Sequence, residues 1–249
     1  MRLGRFLFNN KTFFGIIEGN DVWKIKDINK ISITSEKYTI EDLKVLSPVI
    51  PSKIICVGLN YKDHAKELNL EIPSTPTLFI KPNTTVIGPN DNIIYPHWLS
   101  SQVDYEGELA IVISNKCHRV STDEAKKYIL GYTCSNDVTA RDLQPKNGQW
   151  TIAKSFDTFL PLGPFITDEV DPFNLDINTY LNGKLVQSSN TKNLIFNVYE
   201  LVSFISQIIT LERFDVIITG TPSGIGPMQK GDIVEVEIEG IGRLKNSVK

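Results

Sequence analysis

Two glutamates two positions apart, Glu106 and Glu108, have the clearest capacity for chemistry in this sequence. The pattern predicts a single strand over Asp104–Ser114, and because side chains alternate along a strand, both carboxylates would lie on the same face. Two neighbouring carboxylates beside apolar residues repel each other unless a cation or a proton intervenes. Their oxygen atoms suit a hard cation such as Mg²⁺, Mn²⁺ or Ca²⁺. The spacing therefore indicates either a metal site or an edge strand whose glutamates face solvent.

A second polar group follows at Asp137, Arg141 and Gln144. A helical turn that begins near Asp137 would place these residues on one face, because they stand at positions i, i+4 and i+7. That face would carry a hard-metal ligand, a guanidinium that binds carboxylates and an amide, a set that suits an anionic oxo acid held on a metal. A surface helix with Asp137 as its N-cap would give the same spacing, so both interpretations stay open.

His64 and Glu67 stand three positions apart, so one helical turn brings them together. A carboxylate beside an imidazole fixes the ring tautomer and raises its basicity, as a general base requires. A structural or merely exposed histidine would fit this spacing equally well. A zinc site is disfavoured, because His64, His97 and His118 lack zinc-ligand spacing and no cysteine stands near them in a ligand pattern.

The composition is that of an ordinary globular protein, with 249 residues of which 41% are hydrophobic and 22% charged. The net charge of −3 and the lack of a Lys/Arg run argue against nucleic-acid or membrane partners. The odd cysteine count, without a C-x-x-C pair, predicts reduced and buried thiols at Cys56, Cys117 and Cys134. No apolar run approaches the ~20 residues of a membrane span, and the first residues lack the apolar segment of a signal peptide. We therefore expect a soluble, cytoplasmic protein.

Short strands dominate the predicted elements. In the first 48 residues, the pattern predicts strands at Arg5–Phe8, Thr12–Ile17 and Val22–Lys24 and a short helix at Ile40–Leu46. Further strands are predicted at Ile54–Val57, Thr77–Ile80, Asn92–Tyr95, Phe165–Ile166, Asp176–Leu181, Val216–Thr219 and Ile233–Glu239, and a loop and short helix over Leu59–Leu68. The prolines at 48 and 51 indicate a boundary between a small N-terminal β-rich module, residues 1–48, and a larger unit, residues 49–249.

Two helices are marked more clearly. Ser121 stands three residues before Glu124, the spacing of a capping box, and predicts a helix that runs through Ala125–Leu130 and stops at Gly131. Later, apolar residues recur at helical spacing from Val198 to Ile209 and define one buried face. The predicted fold class is α+β, mostly β, with a few helices.

Six segments of the sequence resemble, in their order and spacing, the motifs of the fumarylacetoacetate hydrolase family. They are Gly58–Glu67, Phe79–Pro82, Asp104–Leu109, Asp137–Gln144, Ala153–Asp157 and Thr219–Gly224. The resemblance covers about Ser52–Lys249 and is greatest to the branch of acylpyruvases, oxaloacetate decarboxylases and 2-hydroxyhepta-2,4-diene-1,7-dioate isomerases. It implies a mixed β-sheet roll for the catalytic domain, residues 49–249, and a homodimer. The sequence departs from the pattern at Leu211–Asp215, where many relatives have Pro-Gly in place of Arg213 and Phe214, a change confined to a turn.

The resemblance also implies roles for individual residues. By this resemblance the metal ligands are Glu106, Glu108 and Asp137, the substrate-binding residues are Arg141, Gln144 and Thr221, and the catalytic residues are His64, Glu67 and Lys154. The cofactor would be Mg²⁺ or Mn²⁺, with waters and the substrate completing its coordination. Without its motif, Lys154 would be interpreted as a surface lysine. The segment with His64 and Glu67 would be a lid that orders with ligand.

The activity implied by the resemblance is hydrolysis of a C–C bond in a small 2-oxo acid, an acylpyruvate or fumarylpyruvate, through a metal-stabilised enolate. Decarboxylation of oxaloacetate, or the isomerisation or tautomerisation of a dienedioate, would use the same site, so these alternatives stay open. A non-catalytic 2-oxo acid-binding protein is a further alternative. It would be expected to lose a metal ligand or the His–Glu pair, whereas this sequence retains them all.

Overall fold

Twenty strands and four short α-helices form the protein, whose computed structural model describes residues 1–249. The strands are β1 (Arg2–Phe8), β2 (Lys11–Glu18), β3 (Asp21–Asp27), β4 (Ser32–Thr39), β5 (Lys44–Leu46), β6 (Ile54–Val57), β7 (Leu78–Lys81), β8 (Val86–Ile87), β9 (Asn92–Ile93), β10 (Val103–Tyr105), β11 (Gly107–Ile113), β12 (Ile129–Asn136), β13 (Thr139–Ala140), β14 (Leu160–Thr167), β15 (Asp176–Leu181), β16 (Lys184–Asn190), β17 (Val216–Ile218), β18 (Gly226–Met228), β19 (Ile233–Ile238) and β20 (Gly242–Val248). The helices are α1 (Lys62–Glu67), α2 (Thr122–Ala125), α3 (Thr151–Lys154) and α4 (Val198–Ile208). The predicted fold class, mostly β with few helices, is confirmed.

The strands form three sheets. The largest has the order β4-β3-β2-β1-β14-β12-β11-β17-β6-β7, with β5 paired to β1 and β8 paired to β14. A five-stranded sheet has the order β16-β15-β19-β20-β9, and a small one the order β13-β10-β18. β11 lies inside the largest sheet with both faces buried: Leu109 and Ile111 belong to the core cluster that includes α4, and Ala110 to a second cluster. This double burial explains why its sequence is continuously apolar after Glu108.

The first 48 residues extend the large sheet through one pair of strands. β1 pairs antiparallel with β14, with Leu3 opposite Ile166. Leu3 is fully buried in the same core cluster as Leu162 and Ile166. Hydrogen bonds and apolar contacts therefore cross the predicted boundary, and the division into residues 1–48 and 49–249 stays a prediction.

Outside the Asp137–Gln144 segment, two helix predictions extend too far, in each case into residues that form a strand. Ile40–Asp42 makes a single 3₁₀ turn, and β5 then pairs with β1 where the prediction continues the helix to Leu46. The helix that begins after Ser121 has its predicted capping box, but α2 is short and a 3₁₀ turn leads into β12. Gly131 lies within β12 and does not end the helix. A Cβ at this position would stand 2.5 Å from the carbonyl oxygen of Thr167, so the close approach of β14 explains the glycine.

α4 is the longest helix, with 11 residues. Asn197 accepts hydrogen bonds from the backbone N–H groups of Tyr199 and Glu200, and Glu200 completes a capping box. Four of the predicted apolar positions are buried, namely Val198, Leu201, Val202 and Ile205. The predicted face extends too far, because Ile208 is 60% exposed. No helix has the length and apolar character that crossing a membrane requires.

Phe214 stands where the family pattern has glycine, and the backbone shows why glycine is common there. Its φ is 68°, in the left-handed region that a residue with a side chain adopts only at a cost in free energy. The Phe214 ring stacks on Phe14, with ring centroids 5.9 Å apart. This contact between a turn and β2 offsets part of the backbone strain.

Candidate active site

The predicted strand over Asp104–Ser114 is interrupted at Glu106, which lies between β10 and β11. The end of β12 packs against this interruption. The backbone N–H of Glu106 donates to Asn136 Oδ1 at 2.9 Å, and that of Asp137 donates to the carbonyl oxygen of Glu106 at 2.8 Å. Glu106, Glu108 and Asp137 are buried, and one oxygen from each carboxylate lies within 4.8 Å of the others. The structure thus brings the three predicted metal ligands together.

Glu108 shows why this cluster fits a divalent cation. It is 1% exposed, forms no ion pair, and accepts a hydrogen bond from the Gly220 N–H at 2.6 Å. Burial, together with the charges of Asp137 and Glu106, raises the pKa of Glu108 well above its usual range. A cation among the three oxygens would supply the positive charge that Glu108 lacks, and oxygen donors are the ligands that Mg²⁺ and Mn²⁺ prefer.

Two buried lysines bind the other two carboxylates. Lys154, at the end of α3, donates to Glu106 Oε2 at 2.9 Å and to Asp137 Oδ2 at 2.6 Å. Burial alone would lower the pKa of Lys154, but the charges of Asp137 and Glu106 outweigh it and raise the pKa above its ordinary value. Lys81, at the end of β7, is fully buried and donates to Asp137 Oδ1 at 2.5 Å and to the carbonyl oxygen of Val138 at 3.1 Å. The sequence interpretation gives Lys81 no role, although the Phe79–Pro82 motif contains it.

The predicted helical turn from Asp137 to Gln144 is wrong. β13 follows Asp137 and pairs with β10, with Asp104 opposite Thr139, and only Arg141–Leu143 forms a 3₁₀ turn. The side chains nevertheless meet, because Arg141 contacts both Glu106 and Gln144. Its Nε also donates to Asp104 Oδ2 at 2.7 Å.

Arg141 and Lys154 together keep Glu106 ionised. Burial alone would raise the pKa of Glu106, but the positive charges of Lys154 and Arg141 lower it to about 2. The Arg141 pKa is raised by Glu106 and Asp104, against the effect of burial. The site without metal therefore contains fixed positive and negative charges side by side.

His64 and Glu67 lie on α1, and their predicted contact is confirmed. His64 Nδ1 is 2.9 Å from Glu67 Oε2, and the other oxygen of Glu67 accepts a hydrogen bond from the Gly224 N–H at 3.0 Å. A carboxylate at Nδ1 favours the tautomer in which Nδ1 carries the hydrogen, which makes Nε2 the basic nitrogen. The geometry is that of an oriented general base.

A second contact anchors α1. Asp63 Oδ1 accepts a hydrogen bond from the His64 N–H at 2.8 Å, and Oδ2 accepts one from the Ser189 hydroxyl at 2.5 Å. Asn193 donates to the same hydroxyl at 3.1 Å. α1 is thus tied to β16 at its first turn and to the loop around Gly224 at its last. Asp63 and Ser189 are 126 positions apart, so no sequence spacing indicates this anchor.

A cavity of about 480 Å³ adjoins these groups, although Glu67 and Glu108 do not line it. Seven predicted site residues line it: His64, Glu106, Asp137, Arg141, Gln144, Lys154 and Thr221. The hydroxyl of Thr221 donates to the carbonyl oxygen of Gly107 and accepts from Gln187, both at 2.9 Å. Thr221 therefore holds the loop after β17 against β11 as well as lining the cavity.

Comparisons with known proteins agree with this architecture. The family model described as "Fumarylacetoacetate (FAA) hydrolase C-terminal" matches residues 53–249. An uncharacterized protein of Archaeoglobus fulgidus is 56% identical over 98% of this chain and 95% of its own. The mitochondrial oxaloacetate tautomerase Fahd2a of Rattus norvegicus is 43% identical over 82% of this chain and 68% of its own. The crystal structure of 5-carboxymethyl-2-hydroxymuconate delta-isomerase from Mycobacterium smegmatis superimposes with a TM-score of 0.92 at 43% identity, over 100% of this chain and 98% of that one.

Proposed function

The chain belongs to the fumarylacetoacetate hydrolase family, and from this premise we propose that it is a hydrolase that cleaves a C–C bond in a small 2-oxo acid of the acylpyruvate or fumarylpyruvate type. One observation carries the proposal. His64, which contacts Glu67, lines the same cavity as Glu106, Asp137 and Lys154. C–C hydrolysis requires a base that activates water, and this pair provides one.

Each group at the cavity has a separate role in the proposed reaction. Mg²⁺ or Mn²⁺ at Glu106, Glu108 and Asp137 would act as a Lewis acid that stabilises developing enolate charge. The ammonium of Lys154 adds a second positive charge on the substrate side. The Arg141 guanidinium, already among carboxylates, offers planar donors for the anionic end of the substrate.

His64 performs the proton transfer. Its Nε2 takes a proton from water, which attacks the second carbonyl of the acylpyruvate, while Glu67 holds the ring and stabilises the imidazolium. The C–C bond then breaks, its electron pair remains on the pyruvate fragment as an enolate, and the other fragment leaves as a carboxylic acid. Protonation of the enolate at C3 from solvent gives pyruvate, and the imidazolium of His64 returns its proton to solvent.

Isomerisation or tautomerisation of a 2-oxo acid is the second candidate. The relatives favour it, because a protein 43% identical to this chain is an oxaloacetate tautomerase and a similar solved structure is a delta-isomerase. These reactions need enolate formation and proton movement but no attack by water. Decarboxylation of oxaloacetate would reach the same enolate through loss of CO₂.

A substrate panel separates these reactions. The protein is stripped with chelator and assayed before and after addition of Mg²⁺ or Mn²⁺, with acetylpyruvate, oxaloacetate and a 2-hydroxy-2,4-dienedioate side by side. The proposal predicts metal-dependent formation of pyruvate and acetate from acetylpyruvate. If the enzyme converts only the dienedioate or the tautomers of oxaloacetate, the second candidate replaces the hydrolase.

The homodimer is a proposal as well, and it rests on the resemblance to the family. Light scattering coupled to size-exclusion chromatography measures the mass directly. A dimer predicts twice the mass of the 28.0 kDa chain, and a monomer at micromolar concentration would contradict it.

A further inference from the structure

The cavity is larger and more apolar than a bare pyruvate unit requires. Its volume of about 480 Å³ falls in the range of sites for drug-sized ligands, and pyruvate would fill a minor part. The charged groups occupy one part of the wall. Phe79 adjoins them, with Lys154 Nζ 5.1 Å from its ring centroid, and Trp150 comes next, its ring centroid 5.2 Å from that of Phe79. Charged and aromatic side chains of the wall thus adjoin each other at Lys154 and Phe79.

Trp150 is held in a fixed orientation. Its ring meets Phe79 edge-on at 69°, and its Nε1 donates to the carbonyl oxygen of Pro145 at 3.3 Å. The indole also lies against Gly58, where a Cβ would stand 3.2 Å from two ring carbons. The single polar atom of the indole is therefore bound to the backbone, and the rest of the ring offers apolar surface to the cavity.

The segment after α1 supplies further apolar lining. Leu68 and Leu70 line the same cavity and are 46% and 54% exposed. Large aliphatic side chains left this exposed in a cavity wall gain free energy when a ligand covers them. They follow directly on the helix that carries His64, so one segment presents both the base and apolar contacts.

We propose that Trp150, Phe79, Leu68 and Leu70 form an acyl-arm subsite, which selects 2-oxo acids with an apolar chain or ring over those that end in a second carboxylate. The subsite rests on the proposed function and narrows it to acylpyruvates, because fumarylpyruvate ends in a second carboxylate. Apart from Lys154 and Arg141, the one cation on the cavity wall is Lys146. Lys146 is exposed, and a solvated lysine contributes little free energy to pairing with a carboxylate.

Binding of 2-oxo acids that cannot be cleaved tests the subsite without relying on the reaction. Calorimetric titration with Mg²⁺ present compares pyruvate, 2-oxohexanoate and 2-oxoadipate, the last two equal in carbon number and different at the far end. The subsite predicts that 2-oxohexanoate binds at least ~10-fold more tightly than pyruvate, and more tightly than 2-oxoadipate.

Variants locate the effect. Trp150→Ala should remove the gain in affinity of 2-oxohexanoate over pyruvate, and Trp150→Phe should restore part of that gain. Leu70→Ser tests the exposed side of the cavity wall without disturbing the core. Trp98→Ala, at a tryptophan that is 66% exposed and does not line the cavity, is the matched control and should leave the gain unchanged.

Two results would overturn the subsite. Either 2-oxohexanoate binds no more tightly than pyruvate, or 2-oxoadipate binds most tightly; in the second case, loss of that advantage in Lys146→Met would assign it to Lys146. Failure of the proposed function is distinguishable from both, because it appears as uncleaved acetylpyruvate in the substrate panel while the binding preference for 2-oxohexanoate persists.

Discussion

Replacing Glu108 with glutamine should stabilise the metal-free protein and abolish its response to metal. Glu108 is buried beside two other carboxylates, and the lysines of the site bind those carboxylates and not Glu108. Because burial and these charges raise its pKa, the ionised form is disfavoured in the folded protein, and folding stability falls as pH rises above the ordinary carboxyl value. Glutamine carries no charge and keeps an oxygen that accepts from the Gly220 N–H.

The size of the effect follows from the pKa shift. Each pKa unit corresponds to about 1.4 kcal/mol. At pH 6.5, roughly two units above the ordinary glutamate pKa, the penalty from Glu108 has a ceiling of about 3 kcal/mol. Metal binding, in contrast, stabilises the folded wild type. Its free energy of unfolding rises by about 2.7 kcal/mol at a free Mg²⁺ concentration 100 times the dissociation constant. The variant lacks one of three ligands and should gain little.

Urea unfolding at pH 6.5 measures both effects, with one series in chelator and one in Mg²⁺. Glu71→Gln is the matched control, because Glu71 is exposed and forms no ion pair. We expect Glu108→Gln to unfold at higher urea than the wild type in chelator and at an unchanged concentration when Mg²⁺ is added. If the variant is less stable than the wild type in chelator, or is stabilised as much by Mg²⁺, Glu108 is neither an uncompensated buried charge nor a metal ligand.

Three further predictions follow from single contacts. Lys154→Met keeps the side-chain length but removes the charge beside the substrate, so turnover should fall at least ~10²-fold while circular dichroism stays unchanged. A fall of less than ~5-fold would contradict the role of Lys154 as the positive charge on the substrate side. Ser189→Ala removes the hydroxyl that donates a hydrogen bond to Asp63 at 2.5 Å, so amide hydrogen exchange in α1 should accelerate and KM should rise. Unchanged exchange in α1 would show that this hydrogen bond does not anchor the helix. All three cysteines are buried and free, and burial raises the pKa of Cys56, so iodoacetamide should label none of them in the native protein and all of them in urea, whereas native labelling would show an open core.

Strands bounded by turn residues are predictable from the sequence, both where the strand is one compact apolar run and where it mixes polar and apolar residues. Ile54–Val57 and Asp176–Leu181 have the predicted bounds, and the short helix before Leu68 forms as expected. The wrong predictions share a cause, which is pairing with a distant strand. Ile40–Leu46 and Asp137–Gln144 have locally plausible helical patterns, but ladders with β1 and β10 satisfy their backbone groups in another conformation.

The contacts of the site are likewise of two kinds, those that local sequence predicts and those between distant residues. The contact of His64 with Glu67 follows from helical spacing, and the nearness of Glu106 to Glu108 follows from their two-residue separation. Lys81 binds Asp137 across 56 positions, and nothing in either local sequence indicates that contact. In the large sheet, β11, β17 and β6 separate β12 from β7. Such non-local contacts require the tertiary structure.

Activation of water by His64 is what separates C–C cleavage from the other candidate reactions, and the variant His64→Ala removes this group. Enolate formation at C3 of a bound 2-oxo acid does not require a base that activates water, whereas attack on the second carbonyl does. His97→Ala is the control, because His97 does not line the cavity. The measurement follows acetylpyruvate cleavage and C3–H exchange in deuterated water in the same sample, with Mg²⁺ binding checked by calorimetry. We expect His64→Ala to lose cleavage by ~10²- to 10⁴-fold and to keep metal binding and C3–H exchange. Cleavage at the wild-type rate, or loss of exchange in equal measure, would show that His64 does not activate water.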